Sequence, residues 1–240
     1  MNEIDVTARS RDGTARPVTL AVARMVNCGR AWREPPDEAG PVDVDGTTQD
    51  TAPVVVPKPP HLLTTDTALH VNASDTYGEA EFVLFPTADA VYVAVGLDLK
   101  YGAATELALN TANSTCPSVI SCDVWTLDDV RDGWDDIELR SWTGTDGEWR
   151  PYQVATLDAF LEPDTLLARV ESKLSVPIER TMVWSSTVGT VDDELQGVNP
   201  SPSIRVADFY AAQLYDPAAN RRLLAQCDVR VNDWVDGVTL

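Results

Sequence analysis

The sequence predicts an α+β domain in which strands dominate. Three observations carry this reading. Short apolar segments with alternating character recur along the chain, and turn-forming residues separate them. No more than two segments carry a helical pattern, and no internal repeat is visible.

Taken in order, residues 17–27, Pro-Val-Thr-Leu-Ala-Val-Ala-Arg-Met-Val-Asn, alternate as a strand. Beyond Trp32-Arg33 the chain turns rich in Pro, Asp, Gly and Thr and closes with Pro57, Pro59 and Pro60. This stretch, 34–60, is expected to be irregular, either an extended covering arm or a flexible loop. Two apolar runs follow, Gly78-Glu79-Ala80-Glu81-Phe82-Val83-Leu84-Phe85 and Ala90-Val91-Tyr92-Val93-Ala94-Val95-Gly96-Leu97, around the turn-like Pro86-Thr87-Ala88-Asp89. Residues 102–112 suggest a short helix. Strands are expected at 119–125, 137–143 and 148–154, the last two joined through Asp146-Gly147, a hairpin signal. The better helix starts at Pro163, with Asp164 favouring its positive end and Leu166, Leu167, Val170 and Leu174 forming one apolar stripe. Strands near 181–186, 203–214 and 223–231 complete the chain. The organisation expected is an N-terminal strand and Pro-rich arm over 1–60, packed with a main unit over 61–240.

Composition removes several classes of function. The 240 residues and a 44% hydrophobic fraction suit a globular fold with a real core. No apolar run approaches the ~20 residues that span a bilayer. Met1-Asn2-Glu3-Ile4-Asp5-Val6 has neither a basic head nor an apolar middle, so a cytoplasmic location without a signal peptide is the expectation. Cys28, Cys116, Cys122 and Cys227 form no Cys-x-x-Cys pair, and neither histidine stands beside one, which argues against zinc. Cys28 and Cys227 lie in apolar stretches and are expected in the core. Trp125, Trp134, Trp142, Trp149 and Trp184 are expected to pack in the core and on the sheets.

The net charge is −20, and only three of the 18 basic residues are lysines: Lys58, Lys100 and Lys173. The acids are scattered and no basic cluster exists, so nucleic acid is not an expected partner. Dispersed acid with scarce lysine matches the composition of salt-accumulating halophiles. A surface made to meet a basic partner is the other reading.

Glu79 and Glu81 stand on one face of their strand, because side chains i and i+2 point the same way. If the two apolar runs pair as a hairpin, the end of the second lies near the start of the first. Asp98 then joins the glutamates, and three carboxylates suit Mg²⁺, Mn²⁺ or Ca²⁺. In so acidic a chain the same spacing also fits a solvated strand face plus a loop aspartate, and both readings stay open.

The order of motifs resembles the catalytic domain of the fumarylacetoacetate hydrolase superfamily. The Glu-x-Glu strand and the aspartate come first. Leu139-Arg140-Ser141-Trp142-Thr143, the Gly147 to Gln153 strand, a Leu-rich helix and Ser185-Ser186-Thr187-Val188-Gly189-Thr190 follow. Within that superfamily the chain is most similar to the domain-of-unknown-function 2848 group, over roughly residues 60–230, with Val26-Asn27-Cys28-Gly29-Arg30 as a family-like opening. The resemblance implies a fumarylacetoacetase-like layered β-roll, commonly dimeric. It also implies an enzyme that acts on a 2-oxo acid or 1,3-dicarbonyl organic acid through a metal-bound enolate. Mg²⁺ or Mn²⁺, with Ca²⁺ as an alternative, would be held by Glu79, Glu81 and Asp98. Gln153 and Thr187 would hold substrate. From the residues themselves, His61 and His70 are candidates for proton transfer, with Glu106 and Asp123 as alternatives, and Arg30 and Arg33 are candidates to clamp a substrate carboxylate; ordinary surface or core positions are the other reading of these histidines and arginines. Two departures stand out: residues 110–118 hold no lysine, and Ser186-Thr187-Val188-Gly189 replaces Gly-Thr-Pro. A catalytically inactive binding or assembly module on the same fold is the alternative function.

Molar salt shrinks the Debye length to roughly 3 Å, which screens self-repulsion at this charge. The melting temperature is therefore expected to rise by several degrees between about 0.1 M and about 2 M KCl. A flat response in thermal scans would favour the basic-partner reading instead.

Overall fold

The structure, a computed structural model, describes residues 1–34, 42–44, 47–49, 51–105, 111, 113–191 and 206–232. The first strands are β1 (Asn2–Arg9), β2 (Ala15–Val22), β3 (Arg24–Gly29), β4 (Val42–Val44), β5 (Thr47–Gln49) and β6 (Val54–Lys58). Next come β7 (Leu63–Thr64), β8 (Ala68–Val71), β9 (Thr76–Pro86), β10 (Val91–Tyr101), β11 (Ser118–Ile120) and β12 (Asp123–Thr126). The remainder are β13 (Glu138–Thr145), β14 (Glu148–Thr156), β15 (Thr181–Trp184), β16 (Phe209–Asp216) and β17 (Arg221–Val231).

Two sheets pack into a β-rich α+β fold. The larger runs β2-β1-β12-β10-β9-β15-β3-β6, with β11 joined to β10 and β7 to β11; the smaller runs β14-β13-β16-β17-β8. The sheet containing β1, β2 and β3 thus also contains β9 and β10, and it continues across residue 60. Its long central hairpin is in register from Val91↔Pro86 to Tyr101↔Thr76. Every residue of β9 is buried, because both faces of the sheet are covered. One face carries Ala80, Phe82, Leu84, Val93, Val95, Leu97 and Leu99 into the main core against the smaller sheet. The other carries Val83, Phe85, Tyr92 and Ala94 into a second apolar cluster with Val6, Leu20, Met182 and Trp184. By alternation, Glu79, Glu81 and Asp98 continue this second face toward the open end of the hairpin. The face is apolar at one end and acidic at the other.

The helix Pro163–Glu171 forms as its sequence predicts, with Pro163 in the first turn and Leu166 and Val170 wholly buried. Phe82 ties the helical segments to the large sheet: its ring meets Trp134 and Phe160 edge-on, with centroids 5.1 and 5.3 Å apart. No described helix is long and apolar enough to cross a membrane.

Several expectations are corrected. The strand expected over 17–27 is two strands, because the chain breaks at Ala23 between β2 and β3 and each joins a different neighbour. The stretch 34–60 is not wholly irregular: Val54–Lys58 is a strand paired to β3. Residues 35–41 of that stretch lie outside the described residues. The strand expected at 119–125 is two short strands separated at Ser121-Cys122. Helix is described at Gly102–Thr105, and residues 106–110 lie outside the described residues. Trp149 is 55% exposed and packs at a tilt against Phe209, unlike the buried Trp125, Trp134 and Trp184. Cys28 and Cys227 are buried in the core, as expected.

One close approach fixes the hairpin beside the acidic end. Gly96 lies opposite Glu81, and the Trp184 ring rests directly on it. A Cβ at this position would run into that ring and stand 3.0 Å from the Val119 carbonyl oxygen. Trp184 is fully buried and has no room to retreat. Gly96→Ala is expected to destabilise the protein by about 1–3 kcal/mol through overpacking, read as a lower urea midpoint. An unchanged midpoint would show that the indole can shift.

Candidate metal centre

The hairpin register sets Asp98 directly opposite Glu79, with Glu81 two residues further along the same face. One carboxylate oxygen from each of the three lies within 4.8 Å of the others. All three residues are buried, Asp98 completely. The solvated-face reading of this motif is therefore excluded. Buried carboxylates this close repel one another and lose hydration, so the surroundings must compensate them.

Asp98 receives the most support. Lys58 Nζ donates to its Oδ1 at 2.6 Å, Ser118 Oγ donates to the same oxygen at 2.7 Å, and Asn27 Nδ2 donates to Oδ2 at 2.6 Å. These donors arrive from β6, β11 and β3, so three strands converge on one carboxylate. Lys58 is fully buried, an ammonium committed to this pair. Burial pushes the Asp98 carboxyl up, but Lys58 and then Lys100 outweigh it and hold it below the usual range.

The glutamates are held differently. Lys100 Nζ forms an ion pair with Glu79 Oε2 and lies 3.8 Å from Asp98 Oδ2. Burial works against the Lys100 charge, yet Glu79, Asp98 and Glu81 together raise its pKa. Glu81 Oε2 accepts the Ser186 backbone N–H at 2.9 Å. Ser186 adopts φ 131, a region suited to glycine, in the turn where the resembling family carries Gly-Thr-Pro. The strained turn thus points its amide at Glu81. Burial, then the Asp98 charge, pushes the Glu81 carboxyl well above the usual range.

Gln153 and Thr187 meet at Ala80, the residue between the two glutamates. Gln153 Oε1 accepts the Ala80 N–H at 2.9 Å, and Thr187 Oγ1 donates to the Ala80 carbonyl at 3.2 Å. Gln153 Nε2 donates to Thr187 Oγ1 and the Val188 carbonyl, both at 2.6 Å. The structure therefore brings both expected residues to the carboxylates, where they grip the strand backbone. Arg33, His61, His70 and Asp123 do not gather there. Arg33 pairs with Asp135 at the surface and also donates to the Phe160 carbonyl. His61 is exposed on a 3₁₀ turn, and His70 is exposed on β8 with Nδ1 3.2 Å from Asn232 Oδ1. Asp123 pairs with Arg9. Arg30 lies just past β3 in left-handed backbone at φ 58, three residues beyond Asn27. Glu106 lies outside the described residues.

Asn27, Lys58, Ser118 and the Ser186 amide were not singled out as ligand supports from the sequence. Lys58 did carry a signal, a lone lysine inside Val-Val-Val-Pro-Lys-Pro-Pro. The donor set fits a divalent cation. The oxygens are hard, they converge, and Asn27 Oδ1 beside Asp98 is a buried acceptor without a hydrogen-bond partner among the described residues. Among the described residues no donor reaches Oε1 of either glutamate.

Comparisons with known proteins give the family and the fold. A family described as protein of unknown function (DUF2848) matches residues 46–226. No curated protein sequence matches significantly. Among solved structures, the crystal structures of Cg1458 superpose with TM-score 0.63 at 12% identity, over 91% of this chain and 80% of that one. The yeast protein ynq8, a fumarylacetoacetate hydrolase family protein, gives 0.58 at 12% identity, over 88% and 94%. A 2-keto-3-deoxy-D-arabinonate dehydratase complexed with magnesium and 2,5-dioxopentanoate gives 0.57 at 10%, over 87% and 74%.

The two perturbed carboxyls predict opposite pH effects in EDTA-treated protein. Asp98 is lowered, so its stabilisation is present above its unfolded value of ~3.9 and lost as pH falls through the folded one. Glu81 is raised, so stability falls as pH rises from the unfolded value of ~4.3 through the folded one. Glu81→Gln is expected to flatten this second slope. Urea midpoints at pH 5 and pH 8 that fall equally in wild type and variant would disprove the assignment.

Proposed function

The chain belongs to the DUF2848 family and has the fold of fumarylacetoacetate hydrolase family proteins, and on that premise we propose a divalent-metal-dependent enzyme acting on a 2-oxo acid or 1,3-dicarbonyl organic acid. The observation that carries this reading is the convergence of three buried carboxylates from two adjacent strands. A fold has no general reason to bury three acids together, and a cation gives one. The similar dehydratase complexed with magnesium and 2,5-dioxopentanoate, itself a 2-oxo acid, supports the substrate class.

Glu79, Glu81 and Asp98 are the proposed ligands of Mg²⁺ or Mn²⁺. Bound there, such an ion supplies a Lewis acid that stabilises negative charge growing on a carbonyl oxygen as an adjacent bond breaks. The protein's own residues set the geometry. Lys58, Ser118 and Asn27 fix the Asp98 carboxylate, and the Ser186 amide orients Glu81. Gln153 and Thr187 hold the peptide between the glutamates, so a change in either would move both ligands. Arg30 is the proposed guanidinium for the substrate carboxylate, from its place just past Asn27. The proposed reaction is of hydrolase, hydratase, decarboxylase or tautomerase type.

Metal binding is testable without a substrate. An ion at 100 times its dissociation constant, bound to the native state alone, adds ~2.7 kcal/mol. Wild type should show a thermal upshift with Mg²⁺ or Mn²⁺, and Glu81→Gln and Asp98→Asn should lose it. The amides preserve shape and avoid stranding Lys58 beside an apolar side chain. Glu138→Ala, whose glutamate pairs with Arg140 away from the cluster, should keep the shift. Equal shifts in all variants would mean diffuse binding to an acidic surface. Turnover of 2-oxo acids or acylpyruvates, lost in the same two variants, completes the test; a metal-binding protein inert to all of them would be a binding module.

A further inference from the structure

We propose that Lys100 is a displaceable internal cation, which occupies the carboxylate cluster until a divalent ion enters and drives it out. The inference rests on the metal reading above and concerns how the site is filled. Two of the chain's three lysines lie at this cluster, although the protein carries 38 acidic residues elsewhere and within it. The two are not equivalent. Lys58 has no exposed side-chain surface, and its Nζ shares Asp98 Oδ1 with Ser118. Lys100 retains 20% side-chain exposure, sits next to the last residue of β10, and among the described residues its ammonium pairs only with would-be ligands. Lys58 is fixed, and Lys100 has a way out.

Its place conflicts with that of a metal. The Lys100 ammonium contacts Glu79 Oε2 and stands 3.8 Å from Asp98 Oδ2, so it spans two of the three ligand side chains. A cation such as Mg²⁺ needs oxygens at about 2.0–2.1 Å in near-octahedral array. An ammonium held against the same oxygens would crowd that array and repel the ion. Charge balance leads to the same result. Three carboxylates against two ammoniums leave one negative charge; a dication added with both lysines in place leaves one positive. Withdrawal of Lys100 makes the metal-bound site neutral, the state a buried site favours. A flexible four-carbon stem allows the ammonium to swing toward solvent, which the planar guanidinium of arginine would do less readily. In this chain lysine is rare, and here its mobility has a use.

The experiment reads the lysines directly. A lysine-specific ¹³Cε label gives three resonances in the full-length protein, assigned with Lys100→Gln and Lys173→Met. On saturation with Mg²⁺, the Lys100 signal should sharpen and move to the position of a solvent-exposed lysine, and the Lys58 signal should stay broad and shifted. In calorimetric titration with Mn²⁺, Lys100→Gln should bind about tenfold or more tightly than wild type, and Lys173→Met should bind like wild type. If Lys100→Gln does not fold, Lys100→Met is read in the same titration, and the wild-type resonances stand independently. Saturable metal binding with an unmoved Lys100 signal would overturn displacement and leave the metal site intact. Absence of saturable binding in wild type and in Lys100→Gln would overturn the metal reading itself, and displacement with it.

Discussion

The pairing of Lys58 with Asp98 is the interaction on which the rest of the site depends. Both side chains are wholly excluded from solvent, and their atoms meet at 2.6 Å. An unpaired charge at this depth would be strongly destabilising, whereas a paired one fixes geometry. Through this pair β6 is held at the edge of β3, and Asn27 from β3 is brought to the other oxygen of the same carboxylate. Ser118 from β11 closes the set. The charge that makes the site costly is also what draws three strands to one point.

The apolar packing complements this arrangement. The face of the large sheet that bears the carboxylates is filled, further along, by Val83, Phe85, Ala94 and Trp184. Trp184 covers Gly96 and so seals the acidic end from the apolar one. Just beyond Trp184 the chain turns through Ser185 and Ser186, and the strained Ser186 backbone presents its amide to Glu81. Strain of this kind persists where surrounding contacts over-determine it. Those contacts are Gln153 and Thr187 on Ala80, with Trp32 Nε1 donating to the Thr187 carbonyl. The turn and the glutamate strand are thus locked at three successive residues.

Charge outside the site follows another rule. Exposed acids are balanced only locally, by arginines such as Arg131 with Asp164 and Arg33 with Asp135. Such pairs contribute little in water. Lysine, the compact point charge, is kept mostly for the interior. Lys58 and Lys100 lie at the carboxylates, and Lys173 alone is at the surface, where it donates to the Thr51 carbonyl.

The sequence by itself determined the β-rich class, the central hairpin, the Asp146-Gly147 turn, the helix at Pro163 and the shared face of Glu79 and Glu81. All of these follow from local periodicity and turn chemistry, which neighbouring residues carry. Asp98 was legible through the hairpin register. The motif order pointed to Gln153 and Thr187, but not to their grip on the Ala80 backbone. Only the tertiary structure decided that the carboxylates are buried, since burial of β9 depends on strands from both ends of the chain. Likewise, Asn27, Lys58, Ser118 and the Ser186 amide reach the site from segments with no local mark of it. A contact between residues 71 apart, such as the side-chain bond from Asn27 to Asp98, is fixed by long-range packing and charge compensation. Periodicity does not encode which distant donor will satisfy a buried carboxylate; the requirement that one must do so is met only when the sheet closes.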